Sequence, residues 1–73
     1  MTDDEILGGI MTAMVSTFGL LTDELSRTGA VDKERLSALI RRDAFQAQET
    51  DPDYDPARVD LRLMRLIADR VEQ

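Results

Sequence analysis

Between Ile6 and Thr22 the chain carries no charged side chain, although charged residues make up 33% of the whole. This segment, ILGGIMTAMVSTFGLLT, places apolar or small residues on every side of a helix. A helix without a polar face has to be enclosed on all sides. Leu7, Met11, Met14, Phe18, Leu21 and Leu25 recur at alternating spacings of four and three, the seam that coiled-coil packing uses. Gly9, Ala13 and Thr17 repeat every four residues, as do Gly8, Thr12 and Ser16. Small side chains at that spacing let a second backbone approach closely. Gly8, Gly9 and Gly19 each cost about 1 kcal/mol against alanine inside a helix, so a compensating packing gain is expected.

Three helix starts are legible. Thr2-Asp3-Asp4-Glu5 has the form of a capping box, with Met1 and Ile6 at the flanking apolar positions. Gly29 supplies a left-handed stop, so the first helix is expected over about 3–28. Asp32 caps a second helix over 33–48, with Val31 and Leu36 as its apolar pair. Asp55-Pro56 is expected to open a third over 56–72, with Asp55 as cap, Pro56 at the first helical position, and Tyr54 and Val59 paired beside them. No stretch alternates with the period of a strand. The fold class is therefore all-α, a single helical domain over 1–73 with one long apolar helix and two shorter amphipathic ones.

The second helix has a narrow apolar stripe of Leu36, Leu39 and Ile40, extended by Ala44 and Ala47. Asp43 falls inside that stripe, where pairing with an arginine of the third helix or of a second chain is the plain expectation, since acids off the solvent side are normally paired. Phe45 falls on the opposite side, either tucked in by a bend or offered to a partner. The third helix shows a broader stripe of Val59, Leu63, Met64, Leu66, Ile67 and Val71 against a polar side of Arg58, Arg62, Arg65, Asp69 and Glu72. Leu61 stands alone among those polar residues as a single exposed leucine. Arg70 points to the apolar side, where its stem can cover the core.

Length then decides how these stripes are covered. At 73 residues a domain buries only about 60% of the surface its unfolded chain exposes, and small folds recover stability through disulfides, metals or oligomerisation. There is no cysteine and no histidine, which removes disulfides and leaves only carboxylates for a metal. Self-association is the remaining route, and a two-fold dimer is its commonest form. The shared core is expected to comprise Leu7, Ile10, Met11, Met14, Val15, Phe18, Leu21, Leu25, Leu36, Leu39, Ile40, Val59, Leu63, Leu66 and Ile67. The oligomer interface is placed on Leu7, Gly9, Ile10, Met11, Ala13, Met14, Thr17, Phe18 and Leu21.

Candidate chemistry is sparse. Without histidine or cysteine the commonest general base and the strongest nucleophile are missing, so no catalytic residue and no cofactor are assigned. Asp51, Asp53 and Asp55 have the spacing that opens a calcium loop, but Pro56 and Arg62 stand where that loop needs glycine and glutamate. No metal site is assigned, and these acids are read as turn and cap residues.

The net charge of −6 is concentrated in residues 1–32 and in the acidic stretch 50–55. An acidic chain is repelled by nucleic acid and by anionic membrane. The seventeen uncharged residues also fall short of the roughly 20 apolar residues that span a bilayer. The acidic start and the lack of cysteine point to the cytoplasm. The expected function is a protein–protein interaction module: a homo-oligomeric adaptor, regulator or inhibitor, with Phe45, Arg41, Arg42, Arg58, Arg62 and Arg65 as a possible partner surface. Two alternatives remain. One is nucleic-acid binding through the arginines of the second and third helices; the other is a subunit whose first helix is completed by a different protein.

Overall fold

The Thr2 hydroxyl accepts a hydrogen bond from the Glu5 amide at 3.2 Å and starts the first helix. The computed structural model describes residues 2–73, and the apolar pairing of Met1 with Ile6 lies outside them. Three helices follow in order: α1 over Asp3–Arg27, α2 over Lys33–Thr50 and α3 over Val59–Glu72. No strand occurs among the described residues.

The end of α1 is a Schellman turn. Ala30 N–H donates to the Leu25 carbonyl and Gly29 N–H to the Ser26 carbonyl, both at 3.0 Å. Gly29 takes φ +80°, which a residue without Cβ adopts at no steric cost. Asp32 then caps α2, its carboxylate accepting from the Arg35 amide at 3.2 Å.

The third start differs from expectation. Asp55 accepts from the amide of Ala57 at 2.9 Å, closing a side-chain turn over Pro56. Arg58 then holds extended backbone with ψ 114°, so the helix begins only at Val59 and has no side-chain cap. Asp55 is a turn former here because its carboxylate is used two residues on, too early to cap a helix starting later. The expected Tyr54–Val59 pairing across a helix start lapses with it. At its other end α2 runs to Thr50 and stops where Asp51 turns extended.

The helices form a single layer in which α3 lies between the other two; α1 scarcely meets α2. The Cα trace measures 39 × 34 × 13 Å, so the layer is about one helix thick. Its radius of gyration of 13.7 Å exceeds the roughly 11 Å of a compact chain this long.

The α2–α3 contact is built from small and polar residues. Ser37, Ala44, Leu61 and Ala68 are almost fully buried. The Ser37 hydroxyl donates to the Ala68 carbonyl at 3.1 Å, and Arg41 donates to Ser37 at 2.7 Å. Arg41 also reaches Asp69 at 2.8 Å and Glu72 at 2.9 Å, while Arg65 donates to the Gln48 amide oxygen at 2.6 Å. Leu61 is thus a core residue at 2% exposure rather than a lone surface leucine. Of the polar residues on the same helix, Arg65, Asp69 and Glu72 find partners on α2.

The other side of α3 meets α1. Leu66 shares a hollow with Met11 and Val15, and Arg70 crosses α1 at Gly19. A Cβ on Gly19 would lie 2.5 Å from Arg70 Cγ, so this glycine is the passage for the arginine. Beyond it Arg70 donates to Asp23 at 2.9 Å. Lys33 reaches the other Asp23 oxygen at 2.6 Å and the Gln73 carbonyl at 2.6 Å. The hydrogen bond from Arg70, and then the Lys33 ammonium, lower the Asp23 carboxyl to about 2.

Candidate interaction surface

None of the fifteen residues expected in the core is buried within the protomer. Because α2 and α3 approach through Ser37, Ala44, Leu61 and Ala68, several of their other apolar side chains border one face of the layer. There Leu36 and Ile40 of α2 and Met64, Ile67 and Val71 of α3 meet Phe18, Leu21 and Leu25 of α1. Together they line an open apolar groove of about 390 Å³.

The α1 seam borders this groove and continues past it. Leu7, Met14, Phe18, Leu21 and Leu25 are all exposed, as are Ile6, Ile10 and Leu20 beside them. Residues 2–10 are exposed throughout. Of the expected interface residues, Met11 is half-buried towards α3, whereas Leu7, Gly9, Ile10, Ala13, Met14, Thr17, Phe18 and Leu21 are open. Gly8 and Gly9 have nothing within 4 Å of a built Cβ, so the protomer itself gives no packing return for them.

The total exposed area exceeds that of a compact fold. A compact monomer of this mass, 8.2 kDa, exposes about 4,500 Å². This chain exposes 5314 Å². Apolar area in such an excess is what association removes from water, at about 25 cal/mol per Å².

The expected arginine surface is largely tied up. Arg41 is held by Ser37, Asp69 and Glu72, while Arg58 pairs with Asp51 and Asp60 at 2.9 Å and Arg65 binds Gln48. These bonds lower the Glu72 carboxyl and, through Arg58, the Asp60 carboxyl. Arg42 and Arg62 are exposed and enter no ion pair among the described residues. Asp43 is likewise exposed and enters no ion pair among the described residues, beside Arg42 at the rim of a shallow hollow. Its expected arginine partner on α3 is not found, because the arginines of α3 point towards α2, α1 or solvent. Phe45 stays on the far side of α2 at 59% exposure, with no bend to draw it in.

The acidic loop is occupied by its own turns. Asp51 accepts from the Asp53 amide at 2.9 Å and pairs with Arg58, and Asp55 accepts from Ala57. By length and composition alone, α1 is sufficient to cross a membrane, with 25 residues and a best-window mean hydropathy of 1.4. That places it beyond what its uncharged run suggests, since the flanking helical turns add length.

The chain matches no protein-family model, no curated protein and no solved structure.

Proposed function

We propose that this chain is a small helical protein–protein interaction module that self-associates through α1 and the apolar face beside it. It acts by presenting or occupying a surface, as an adaptor, regulator or inhibitor does, and not by catalysis. One observation carries this reading: an unbroken apolar face on a layer one helix thick, spanning all three helices. Layered folds bury such a face against a second layer, and none of the three helices of the described residues lies over it. The absence of cysteine and histidine supports a non-catalytic role, and Phe45 offers a second contact point outside the apolar face. A cytoplasmic setting belongs to the same reading, supported by the lack of cysteine.

Light scattering across a concentration series tests it directly. A dimer or larger oligomer is expected, and Met14→Glu should give a monomeric or unfolded chain, because a charge in a desolvated seam is strongly unfavourable. A wild-type monomer, or a Met14→Glu oligomer of normal stability, would overturn it. A wild-type chain that stays monomeric in buffer but partitions onto lipid vesicles would replace it with a membrane role for α1.

A further inference from the structure

The self-association proposed above does not fix how two copies meet, but the spacing and charge of α1 do. We infer that a second copy lies antiparallel, with its α1 reversed along the first and its amino-terminal half seated in the groove between α1, α2 and α3.

The seam residues are symmetric about position 16. Leu7 and Leu25, Met11 and Leu21, and Met14 and Phe18 are each equidistant from it. Reversing one helix about that point therefore pairs every seam residue of one copy with a seam residue of the other, at a and d levels alike. No register shift is needed.

Charge selects the reversed orientation. A parallel copy would set Asp3 and Asp4, at the start of the seam, beside their own counterparts. Like charges so placed are destabilising. Antiparallel pairing separates the two acidic starts by roughly 33 Å along the axis, at 1.5 Å per residue. Each start then lies at the level of the other copy's helix end, where Arg27 is paired with its own Glu24. The helix dipoles oppose rather than align, which is also favourable.

The groove completes the fit. Its α1 wall is Phe18, Leu21 and Leu25, the half of the seam that reversed pairing sets against Leu7 to Met14 of the second copy. Residues 2–10 of that amino-terminal half are exposed, and Met11 is its one seam residue turned towards α3. The two-fold axis repeats the seating, so each copy fills the groove of the other. The exposed area exceeds that of a compact monomer by about 800 Å², which matches the roughly 800 Å² per partner that a standard interface buries.

Spin labels read the arrangement. Because the chain lacks cysteine, Glu5→Cys and Ser16→Cys each introduce a single attachment point, both exposed and both on the side of α1 away from the seam. Pulsed electron–electron distances in the dimer should be short for the Ser16 pair. The Glu5 pair should be markedly longer, reflecting the axial offset of roughly 33 Å. Equal distances at the two sites in a chain of dimeric mass would overturn antiparallel pairing while leaving self-association standing. A monomeric mass without dipolar coupling would overturn self-association itself. For the groove, Ile40→Glu, on α2 and outside the seam, should raise the dimer dissociation constant by about tenfold or more, with helicity retained. An unchanged constant would overturn the seating.

Discussion

The α2–α3 contact and the α1 seam of this molecule are built by opposite means. Between α2 and α3 the contact is made by Ser37, Ala44, Leu61 and Ala68, with arginines bridging its edges, and it closes within one chain. Along α1 the seam is made of leucine, methionine and phenylalanine, and it remains open. The contrast shows how a short chain can direct its hydrophobic side chains outward on purpose. Small residues around Leu61 let two helices pack closely, and several of their larger residues stay on an open face.

The strongest way to break the comparison is to attack the closed seam. Leu61→Ala should destabilise the fold by about 2–5 kcal/mol, the usual cost of a cavity at a buried leucine. Denaturant unfolding checks it. A cost like that of an exposed leucine would mean that the α2–α3 contact is not the protomer's core. Met14→Glu strikes the open seam instead, and the two variants separate loss of fold from loss of association.

The glycines of α1 sharpen the contrast at a smaller scale. Gly9→Ala meets nothing within the protomer and lies away from the proposed seam, so it should stabilise by up to about 1 kcal/mol through helix propensity. Gly19→Ala should gain less, because its Cβ displaces Arg70 from Asp23. Thermal unfolding compares the two, and the Asp23 carboxyl should move back from about 2 towards its ordinary 3.8. An unmoved Asp23 would show that Arg70 does not depend on the gap.

The smallest effect is in acid. Asp23, Asp60 and Glu72 have lowered carboxyl pKa values in the folded chain. Unfolding raises those values, so the ion pairs contribute stability above their ordinary range and lose it as pH falls. For Asp23 the loss runs from 3.8 down to about 2. These pairs are open to solvent and individually weak, so a modest decline in melting temperature over that window is expected, shallower in Asp23→Asn. A profile unaffected by that substitution would remove Asp23 from the account.

Some of this was legible along the chain. The Thr2 and Asp32 caps and the Gly29 stop are local chemistry, decided within four residues, and the structure uses all three. Asp55-Pro56 carried the same signature and was used for a turn, since the choice depended on where α3 had to begin to meet α2. Leu61 was misplaced because its helical neighbours are charged. The readable hint was the heptad recurrence of Ser37 with Ala44 and of Leu61 with Ala68, small or buried positions facing each other seven residues apart.

The sequence by itself determined that the chain is helical, where α1 and α2 start, and that α1 is apolar on nearly every side. Those follow from periodicity, capping and size, which act locally or on totals. Only the tertiary structure decided that α3 would sit in the middle, that Arg41 and Arg70 would pair with acids across helices, and that part of the α2 and α3 stripes would join α1 in one open groove. Those outcomes depend on which sides of the helices meet. A stripe in the sequence states that a face is apolar and leaves open what it packs against.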